Sequence, residues 1–307
     1  MRHYYPIMFT KLFAESGLSL DRLRSLLEVG ASGSIVKAAD GDPVRQSQYS
    51  RQIKELEDFF RIKLIERQGK GTRLTQSGKE LARISRFFML GLSNFQRGCL
   101  AEAQAFSVGG SATFIRQFLL PVVSDSAVLR RGTRYLVETA NDDEIERRLH
   151  DLTLDFGVTA RAAISRPLQL TALGRWRLKL WVPHALHRDE KTARVAFKER
   201  RLPLILARRE FDPSGLEFLG GYEPSLTCDN FLEARAAMEQ NAVAAILPDF
   251  LMPGGSARGY FPVRIPPLES RVFQFRLAWN PRLLRLNPHA IRHRDFLGTM
   301  LSKQMAE

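Results

Sequence analysis

Residues 45–60 read RQSQYSRQIKELEDFF, and this stretch combines two patterns. Apolar side chains recur every three or four residues, which predicts an amphipathic helix with one buried side. They are Tyr49, Ile53, Leu56 and Phe60. The opposite side offers hydrogen-bond donors and positive charge from Gln46, Ser47, Ser50, Arg51 and Lys54. Such a face fits the major groove of DNA, although an ordinary solvated helix shows the same pattern, so the neighbouring sequence has to decide.

Two shorter helices are predicted in front of this stretch. Ser19 is a typical N-cap residue, and the leucines after it follow helical spacing until Gly30, where we expect the helix to end. Ser34 begins a second, short helix with a small apolar side that lets another helix approach closely. A turn at residues 41–43 then leads into the longer helix. This order is the helix-turn-helix plan.

A hairpin and a long helix are predicted next. Leu64 and Ile65 precede a turn at residues 69–71, and residues 72–75 form a second short strand, so the pair is expected to form a wing. Ser77 is the expected cap of a helix that runs to about residue 104. Its apolar stripe is longer than a small domain can bury, which favours pairing with a second copy over packing on the chain's own downstream domain. The stripe consists of Leu81, Ile84, Phe88, Leu92, Phe95 and Cys99.

The charge balance indicates a polyanionic partner. The chain carries 46 Lys and Arg against 33 Asp and Glu, a formal net charge of +13, and basic residues cluster between residues 45 and 86. Lys54, together with Lys70 and Arg73 of the wing, is expected to contact phosphates. A solvated surface would also explain a charge run, but this run coincides with the candidate recognition helix.

The composition argues against several other classes of protein. Cys99 and Cys228 are the only cysteines and lie far apart, which excludes a disulfide framework or a cysteine-based metal site. No apolar run reaches membrane-spanning length and no signal-peptide core is present, so we expect a cytoplasmic protein without membrane contact. The six histidines form no HExxH pair, and no P-loop or dinucleotide fingerprint occurs. We therefore expect no enzyme, no cofactor and no metal site.

From about residue 105 short strands alternate with helical patterns, which predicts βαβ units, a parallel sheet and an α/β block in two lobes. The charged residues 187–201 are expected to form a loop, and residues 262–268 a connector. A strand that ends at Gly110 and a helix that begins at Ser111 would direct backbone N–H groups into a crevice at the carboxyl end of the sheet. This crevice is a candidate ligand site.

The stretch from Ser34 to Gly78 resembles the family of LysR-type transcriptional regulators. Short motifs fall at the spacing of that family, namely Ala38-Ala39, Ser50-Arg51-Gln52-Ile53, Leu56-Glu57, Leu64-Ile65-Glu66-Arg67 and Arg73-Leu74-Thr75-Gln76-Ser77-Gly78. Weaker matches, such as Leu119-Leu120-Pro121 and Leu154-Asp155-Phe156-Gly157-Val158, extend the resemblance over most of the chain.

The resemblance implies an α/β protein with a mostly helical N-terminal part, a winged helix-turn-helix. A linker helix that dimerises follows, and then a two-lobed effector domain similar to a periplasmic binding protein. The expected bounds are 1–18 for an N-terminal extension, 19–77 for the winged helix-turn-helix, 78–104 for the linker helix and 105–307 for the effector domain. Within that domain, lobe I is expected at about 105–161 and 267–307, and lobe II at about 162–266.

The resemblance also implies partners and site residues. The partners would be promoter DNA, a small-molecule effector, a second copy in a homodimer or homotetramer, and RNA polymerase. Ser111 and Thr113 match the ligand-contacting loop of the family. Asn141 matches the loop after the second strand, and Asp229 and Asn230 match the corresponding helix start of the other lobe. Each of these five residues is equally typical of a plain N-cap or turn.

Three residues depart from the family pattern at the recognition helix. Asp42 stands where a leucine usually packs the second helix, and Arg45 and Ser47 replace the usual small hydroxyl and proline. Arg45 would add a phosphate or base contact, so the preferred DNA sequence is expected to be atypical. Gln46 and Arg51 are able to make bidentate contacts with adenine and guanine edges, although Arg51 fits a phosphate contact equally well.

Two alternatives to an effector-controlled regulator remain at this point. One is a small-molecule-binding protein similar to solute-binding proteins, with an incidental basic N-terminus. The other is a regulator whose sensor domain has lost its ligand and acts through protein contacts alone.

Overall fold

The computed structural model describes residues 17–69, 71–99, 104–125, 133–208, 210, 219, 222–252 and 259–306. The chain divides into two compact units, Met1–Leu100 and Ala101–Glu307. Most of the predicted N-terminal extension, Lys70 of the wing and the expected end of the linker helix lie outside the described residues. No helix among the described residues is long and apolar enough to cross a membrane.

The first unit contains the predicted helices and wing in the predicted order. Its elements are α1 (Leu20–Ser32), α2 (Ile35–Ala38), α3 (Pro43–Phe60), β1 (Ile65–Gln68), β2 (Gly71–Leu74) and α4 (Gln76–Cys99). The two strands pair in antiparallel register, from Ile65 opposite Leu74 to Gln68 opposite Gly71.

The predicted apolar side of α3 forms much of the core of this unit. Tyr49 and Ile53 pack with Val29 and Ala39 in one buried cluster. Leu56 is fully buried in a second cluster that includes leucines of α1 and Leu64. Phe60 is only partly buried and packs against the edge of that second cluster. The helical spacing of apolar residues therefore identified the inner face correctly.

The predicted end of α1 at Gly30 is wrong, because the helix continues to Ser32 and closes at Gly33 with a φ of 68°. Gly30 instead allows the wing to pack closely on α1. A Cβ atom at this position would lie 2.6 Å from Cδ1 of Leu74. The glycine marks a close helix–wing contact rather than a helix end.

The predicted cap of α4 is also corrected, because the helix begins at Gln76 and Thr75 caps it. The Thr75 hydroxyl accepts a hydrogen bond from the Gly78 N–H at 3.0 Å and donates one to the Lys63 carbonyl at 2.7 Å. A Cβ at Gly78 would lie 2.0 Å from the Leu64 carbonyl oxygen, so only glycine fits beneath the wing.

The second unit contains two five-stranded sheets with helices around them. The lobe I elements are β3 (Ala105–Gly110), α5 (Ala112–Phe114, Ile115–Leu119 and Leu120–Val123 without a break), β4 (Arg134–Thr139), α6 (Asp142–His150), β5 (Phe156–Thr159), β6 (Gln169–Trp176), β12 (Phe273–Trp279), α10 (Pro281–Leu286) and α11 (Pro288–Ala306). The lobe II elements are β7 (Leu178–Pro183), α7 (Glu190–Lys198), β8 (Leu204–Ala207), β9 (Leu226–Cys228), α8 (Phe231–Gln240), β10 (Ala244–Pro248), β11 (Tyr260–Val263) and α9 (Pro266–Glu269).

Both sheets are mixed rather than parallel, which corrects the prediction. The strand orders are β4-β3-β5-β12-β6 and β11-β7-β10-β8-β9. The βαβ units do give parallel pairs, β3 with β4 and with β5 in one sheet and β8 with β9 and with β10 in the other. However, β12 returns antiparallel between β5 and β6, and β7 runs antiparallel to β10 and β11. The alternation of elements cannot reveal such returning strands.

The expected lobe boundary and two expected loops also differ from the structure. Strand β6 pairs along β12, so the first sheet includes a strand assigned by sequence to lobe II. The charged residues 187–201 contain α7, which Asp189 caps and whose buried side includes Phe197. The expected connector at 262–268 contains the end of β11 and the short helix α9.

Candidate functional site

The outer face of α3 is positioned by a cap and by the core beneath it. The helix begins at Pro43, and the side chain of Asp42 accepts hydrogen bonds from the N–H groups of Val44 at 2.8 Å and Arg45 at 3.4 Å. The aspartate that replaces the usual leucine is therefore the N-cap of this helix. Val44, at the leading end of the helix, is 76% exposed.

Two side chains at the start of α3 that are predicted to contact DNA instead contact the turn before the helix. The Arg45 guanidinium pairs with Asp40 at 3.0 Å and lies 3.5 Å from the hydroxyl of Tyr49. The hydrogen bonds that Arg45 donates to Tyr49 and Asp40 raise its pKa. The Gln46 amide donates to the Gly41 carbonyl at 3.0 Å. Exposed contacts of this kind contribute little to stability, so both side chains are able to exchange them for a ligand.

The middle of the outer face is more open. The Arg51 side chain is 82% exposed and pairs with Glu55 at 3.0 Å. Hydrogen bonds from Arg51 and then Arg22 lower the pKa of Glu55. Ser47, Ser50 and Lys54 are exposed and make no side-chain hydrogen bond or ion pair with other described residues. Ser47, Ser50, Arg51 and Lys54 are therefore exposed together on the outer side of α3.

The wing is held against α3 by a buried carboxylate, that of Glu57, whose motif was recognised in the sequence but whose role was not predicted. Glu57 is 8% exposed and accepts hydrogen bonds from the N–H groups of Leu64 at 2.9 Å and Ile65 at 3.3 Å, and from Lys63 Nζ at 2.7 Å. Burial opposes ionisation, but these hydrogen bonds outweigh it and lower the pKa of Glu57. On the wing, Arg73 is exposed and pairs with Glu66 at 2.7 Å.

The predicted stripe on α4 is largely exposed in the single chain. Leu81, at its start, packs against the core of the first unit. Further along, the exposed fractions are 55% for Ile84, 52% for Phe88, 46% for Leu92 and 73% for Phe95. Four large apolar side chains on one side of one helix form an unusual exposed patch for a soluble domain.

A cavity of about 480 Å³ lies between the two lobes of the second unit. Its wall includes residues just after β3, β4 and β5 in lobe I and just after β8 and β10 in lobe II, at the carboxyl ends of parallel strands, as expected for an α/β ligand site. The volume is typical of small-molecule sites. The wall is formed by Ser111, Thr113, Ala140, Asn141, Asp142, Asp143, Val158, Ala160, Arg161, Trp176, Arg208, Glu210, Phe231, Pro248, Phe250, Phe273 and Phe275.

Three of the five predicted effector residues, Ser111, Thr113 and Asn141, lie on this wall. Ser111 and Asn141 also cap the helices that follow them, through hydrogen bonds from Phe114 N–H at 3.2 Å and Glu144 N–H at 2.9 Å.

The structure does not place the other two predicted residues, Asp229 and Asn230, on the described cavity wall. The side chain of Asn230 is used as the cap of α8 and accepts from Glu233 N–H at 2.9 Å. The backbone N–H of Asp229 donates to the carboxylate of Glu233 at 3.1 Å. The next residue, Phe231, is the one that reaches the cavity.

Aromatic rings form the apolar part of the wall. Trp176 stacks on Phe273 with 4.5 Å between centroids and on Phe275 with 5.3 Å, and the edges of Phe231 and Phe250 meet its ring. Trp176 is 5% exposed, and its Nε1 has no hydrogen-bond partner among the described residues. The alternation of Phe273 and Phe275 along one strand was the sequence signal for this wall, and it was not used in the prediction.

The charged residues of the wall were not predicted. Arg161 is held by the carboxylates of Asp143 and of Glu146, the latter at 2.8 Å, and the hydrogen bond with Asp143 is the main reason that the pKa of Arg161 is raised. Arg208 is exposed and has no ion-pair partner among the described residues. The Glu210 carboxylate contacts Thr113 of lobe I and Phe231 of lobe II.

Within the described part of the chain, no group of three or more His, Cys, Asp or Glu residues is arranged to hold a metal ion.

Comparison with known sequences finds the same two parts. Residues 20–79 match the family described as "Bacterial regulatory helix-turn-helix protein, lysR family", and residues 101–301 match the "LysR substrate binding domain". The HTH-type transcriptional regulator HdfR of Yersinia enterocolitica is 24% identical over 180 residues, which span 57% of this chain and 60% of that protein. HdfR of Yersinia pestis (strain Pestoides F) is 22% identical over 239 residues, 76% of this chain and 82% of that protein.

Solved structures share the fold over most of the chain. ArgP from Mycobacterium tuberculosis has a TM-score of 0.64 at 18% identity and covers 89% of this chain and 97% of its own. A full-length variant of OxyR from Pseudomonas aeruginosa has a TM-score of 0.62 at 17% identity, with coverage of 94% and 95%. Full-length CbnR complexed with its target DNA has a TM-score of 0.52 at 16% identity, with coverage of 90% and 100%.

Proposed function

The chain belongs to the family of LysR-type transcriptional regulators, and on that premise we propose which residues bind DNA and what kind of effector the second unit binds. Members of this family bind DNA through a helix-turn-helix domain and carry a second domain for a small-molecule effector, and this chain has both. The family match over residues 20–79 leaves no support for a solute-binding protein with an incidental basic N-terminus.

The outer face of α3 is the proposed reading surface. The observation that carries this proposal is that Ser47, Ser50, Arg51 and Lys54 are exposed together on a helix whose other side is fixed in the core. In this arrangement Ser47, Ser50 and Arg51 contact base edges, while Lys54 contacts phosphate. Arg45 and Gln46 join them after leaving Asp40 and Gly41, and Lys70 and Arg73 of the wing contact the flanking backbone.

Selection of bound fragments from a random duplex pool by the full-length protein tests this proposal. We expect a defined motif with two related half-sites, because a dimer presents two copies of α3. The Ser47→Ala/Ser50→Ala double variant should enrich an altered or degenerate motif. The matched control is Asp58→Asn, at the exposed far end of the same helix, which should enrich the original motif. Recovery of unrelated sequences by the wild type would contradict the proposal.

The cavity of the second unit is the proposed effector site, with Ser111, Thr113 and Asn141 among its contacts. Asp229 and Asn230 are not proposed as effector contacts; they precede α8, and Asn230 is its N-cap. Stacked rings on the wall, with Trp176 at their centre, favour a small aromatic molecule. Arg161, although on the wall, is already neutralised by Asp143 and Glu146.

A cavity-filling variant tests the effector site. Ala160 lies on the wall, whereas Ala163 is exposed nearby and is not on it. Quenching of tryptophan fluorescence by benzamide, used as an aromatic probe, should be lost in Ala160→Trp and retained in Ala163→Trp. Equal quenching in both variants would contradict the site.

Pairing of two chains through the exposed stripe of α4 completes the proposal, as a homodimer or homotetramer. Burial of Ile84, Phe88, Leu92 and Phe95 against a second copy would remove a large apolar patch from water. We also propose a location in the cytoplasm and contact with RNA polymerase at the promoter, and membership of the family is the support for both.

A further inference from the structure

One carboxylate of the chain already binds both lobes at the cavity wall. Glu210 Oε1 accepts a hydrogen bond from the Thr113 N–H at 2.9 Å, and Oε2 accepts one from the Phe231 N–H at 3.0 Å and one from the Thr113 hydroxyl. Thr113 belongs to α5 of lobe I and Phe231 to α8 of lobe II. A single side chain therefore joins the two lobes.

The partners of this carboxylate are the groups that would bind the carboxylate of a ligand. Thr113 and Phe231 lie in the first turns of their helices, where backbone N–H groups have no partner within the helix and the helix dipole favours negative charge. Thr113 is 1% exposed and Phe231 3% exposed, so water has little access to them. Hydrogen bonds of this charge-assisted kind are among the stronger ones in proteins.

The charge of the remaining wall does not favour a second anion. The wall carries three acidic residues, Asp142, Asp143 and Glu210, and two basic ones, Arg161 and Arg208. Asp143 and Glu146 already engage Arg161. The position that would bind the carboxylate of an organic anion is therefore already occupied by Glu210. On the described wall, Arg208 is the one arginine left to attract such an anion.

The other side of the cavity suits an uncharged ring. Trp176 stacks on Phe273 and Phe275, and all three rings belong to the cavity wall. Aromatic rings bind another ring by stacking or edge contacts, and such contacts need no negative charge on the ligand.

We propose that Glu210 is a tethered ligand of this cavity, which fills the carboxylate position itself, so that the effector is an uncharged aromatic molecule bound beside it. The Glu210 carboxylate then joins the two lobes at this position, so no anion from solution is needed to bring them together. The inference rests on the proposed effector cavity and specifies what that cavity accepts.

Chemical rescue of Glu210→Ala tests the proposal on the full-length protein. Removal of the carboxylate should lower Tm by several degrees, and sodium acetate should restore much of this loss, whereas sodium chloride at equal ionic strength should not. Wild-type Tm should not respond to acetate. The matched control is Glu223→Ala, an exposed carboxylate of lobe II without a hydrogen bond or ion pair to other described residues; it should behave as wild type.

A pair of probes that differ in charge tests the specificity. Benzamide should quench wild-type tryptophan fluorescence with a Kd at least about tenfold below that of benzoate, and Glu210→Ala should reverse this order because benzoate then takes the vacated position. If the alanine variant does not fold, Glu210→Gln replaces it. The glutamine amide keeps the size, but its NH2 group replaces one acceptor oxygen and faces a donor, so the melting temperature should still fall relative to that of Glu223→Gln.

The outcomes separate this inference from the proposed function. An unchanged Tm in Glu210→Ala, or an acetate effect no larger than that of chloride, would overturn the tethered ligand and leave the cavity as an effector site. Tighter binding of benzoate than of benzamide by the wild type would overturn it as well. Benzamide quenching that persists in Ala160→Trp would remove the effector site itself.

Discussion

At the scale of single residues, Glu57 shows how one buried carboxylate fixes the position of the wing relative to α3. It accepts hydrogen bonds from Lys63, Leu64 and Ile65, and so fixes the entry to the wing relative to α3. Glu57→Ala leaves two backbone N–H groups without this acceptor, and we expect a loss of about 1–3 kcal/mol of stability in urea unfolding. Asp58→Ala, at the exposed neighbouring position, should change stability by less than about 0.5 kcal/mol.

The same residue predicts the response to acid. Because the folded pKa of Glu57 is lowered, its contribution is complete above the ordinary carboxyl pKa of about 4.3 and is lost as the pH falls through the folded value. Glu57→Gln lacks this proton-linked contribution. We therefore expect the difference in stability between wild type and Glu57→Gln to shrink below about pH 4, and a difference that does not vary with pH would contradict the role of its charge.

Arg51 allows base reading and phosphate binding to be distinguished. Its side chain is exposed in the middle of α3 and, among the described residues, is held only by a surface pair with Glu55. If Arg51 reads a base, Arg51→Ala should weaken binding to the selected duplex by about 1–3 kcal/mol and leave binding to random duplex much less affected. Arg201→Ala, which removes an exposed arginine from lobe II, is the control for net charge. Equal losses on both duplexes would identify a phosphate contact instead.

At the scale of elements, α4 carries the prediction about assembly. Leu92 lies within the exposed stripe, whereas Ser93 points to another side of the same helix by its position. Leu92→Glu should place a charge in the proposed dimer contact and raise the dissociation constant by at least about tenfold, equivalent to 1.4 kcal/mol. Ser93→Glu should have little effect. Sedimentation over a range of concentrations measures both, and indistinguishable assemblies would argue against this helix as the contact.

The elements also show which features the sequence could predict. Helical periodicity identified α3 and the α4 stripe, and a glycine turn between two short strands identified the wing, because each signal depends on neighbours close in the chain. The expected loop at residues 187–201 was wrong because α7 buries only a narrow side amid many charges. Asp42 stands where the family pattern has a packing leucine, and its role as the N-cap of α3 was not predicted from the sequence. An N-cap depends on the backbone geometry at the start of a helix, and a narrow buried face depends on what packs against it. Neither can be read from composition.

The candidate effector site was only partly predictable for a different reason. Ser111, Thr113 and Asn141 follow strands in a recognisable pattern, and they lie on the cavity wall. Glu210 reaches Thr113 across 97 positions of sequence, and no local pattern reports such a contact. The returning strand β12 brings Phe273 and Phe275 to the wall in the same way.

At the scale of the whole molecule, the two compact units carry two chemistries. The first presents a basic, hydrogen-bonding helix face with a wing, and the second encloses an aromatic cavity whose wall includes both lobes. An effector controls DNA binding only if it has different affinities for two states of the protein. In the proposed scheme Glu210 supplies part of the lobe-closing contact in advance, so the aromatic effector needs to supply only the remainder.

The dependence of duplex binding on salt is the most direct measurement of the central claim, that this chain binds DNA through the basic face of α3 and its wing. With the duplex recovered by selection, log K for wild type should fall linearly with log salt concentration, with a slope of about −0.9 for each phosphate contacted. Lys54→Ala should reduce the slope by about one and Arg201→Ala should not. Absence of duplex binding, or affinity that does not change with salt, would contradict the account.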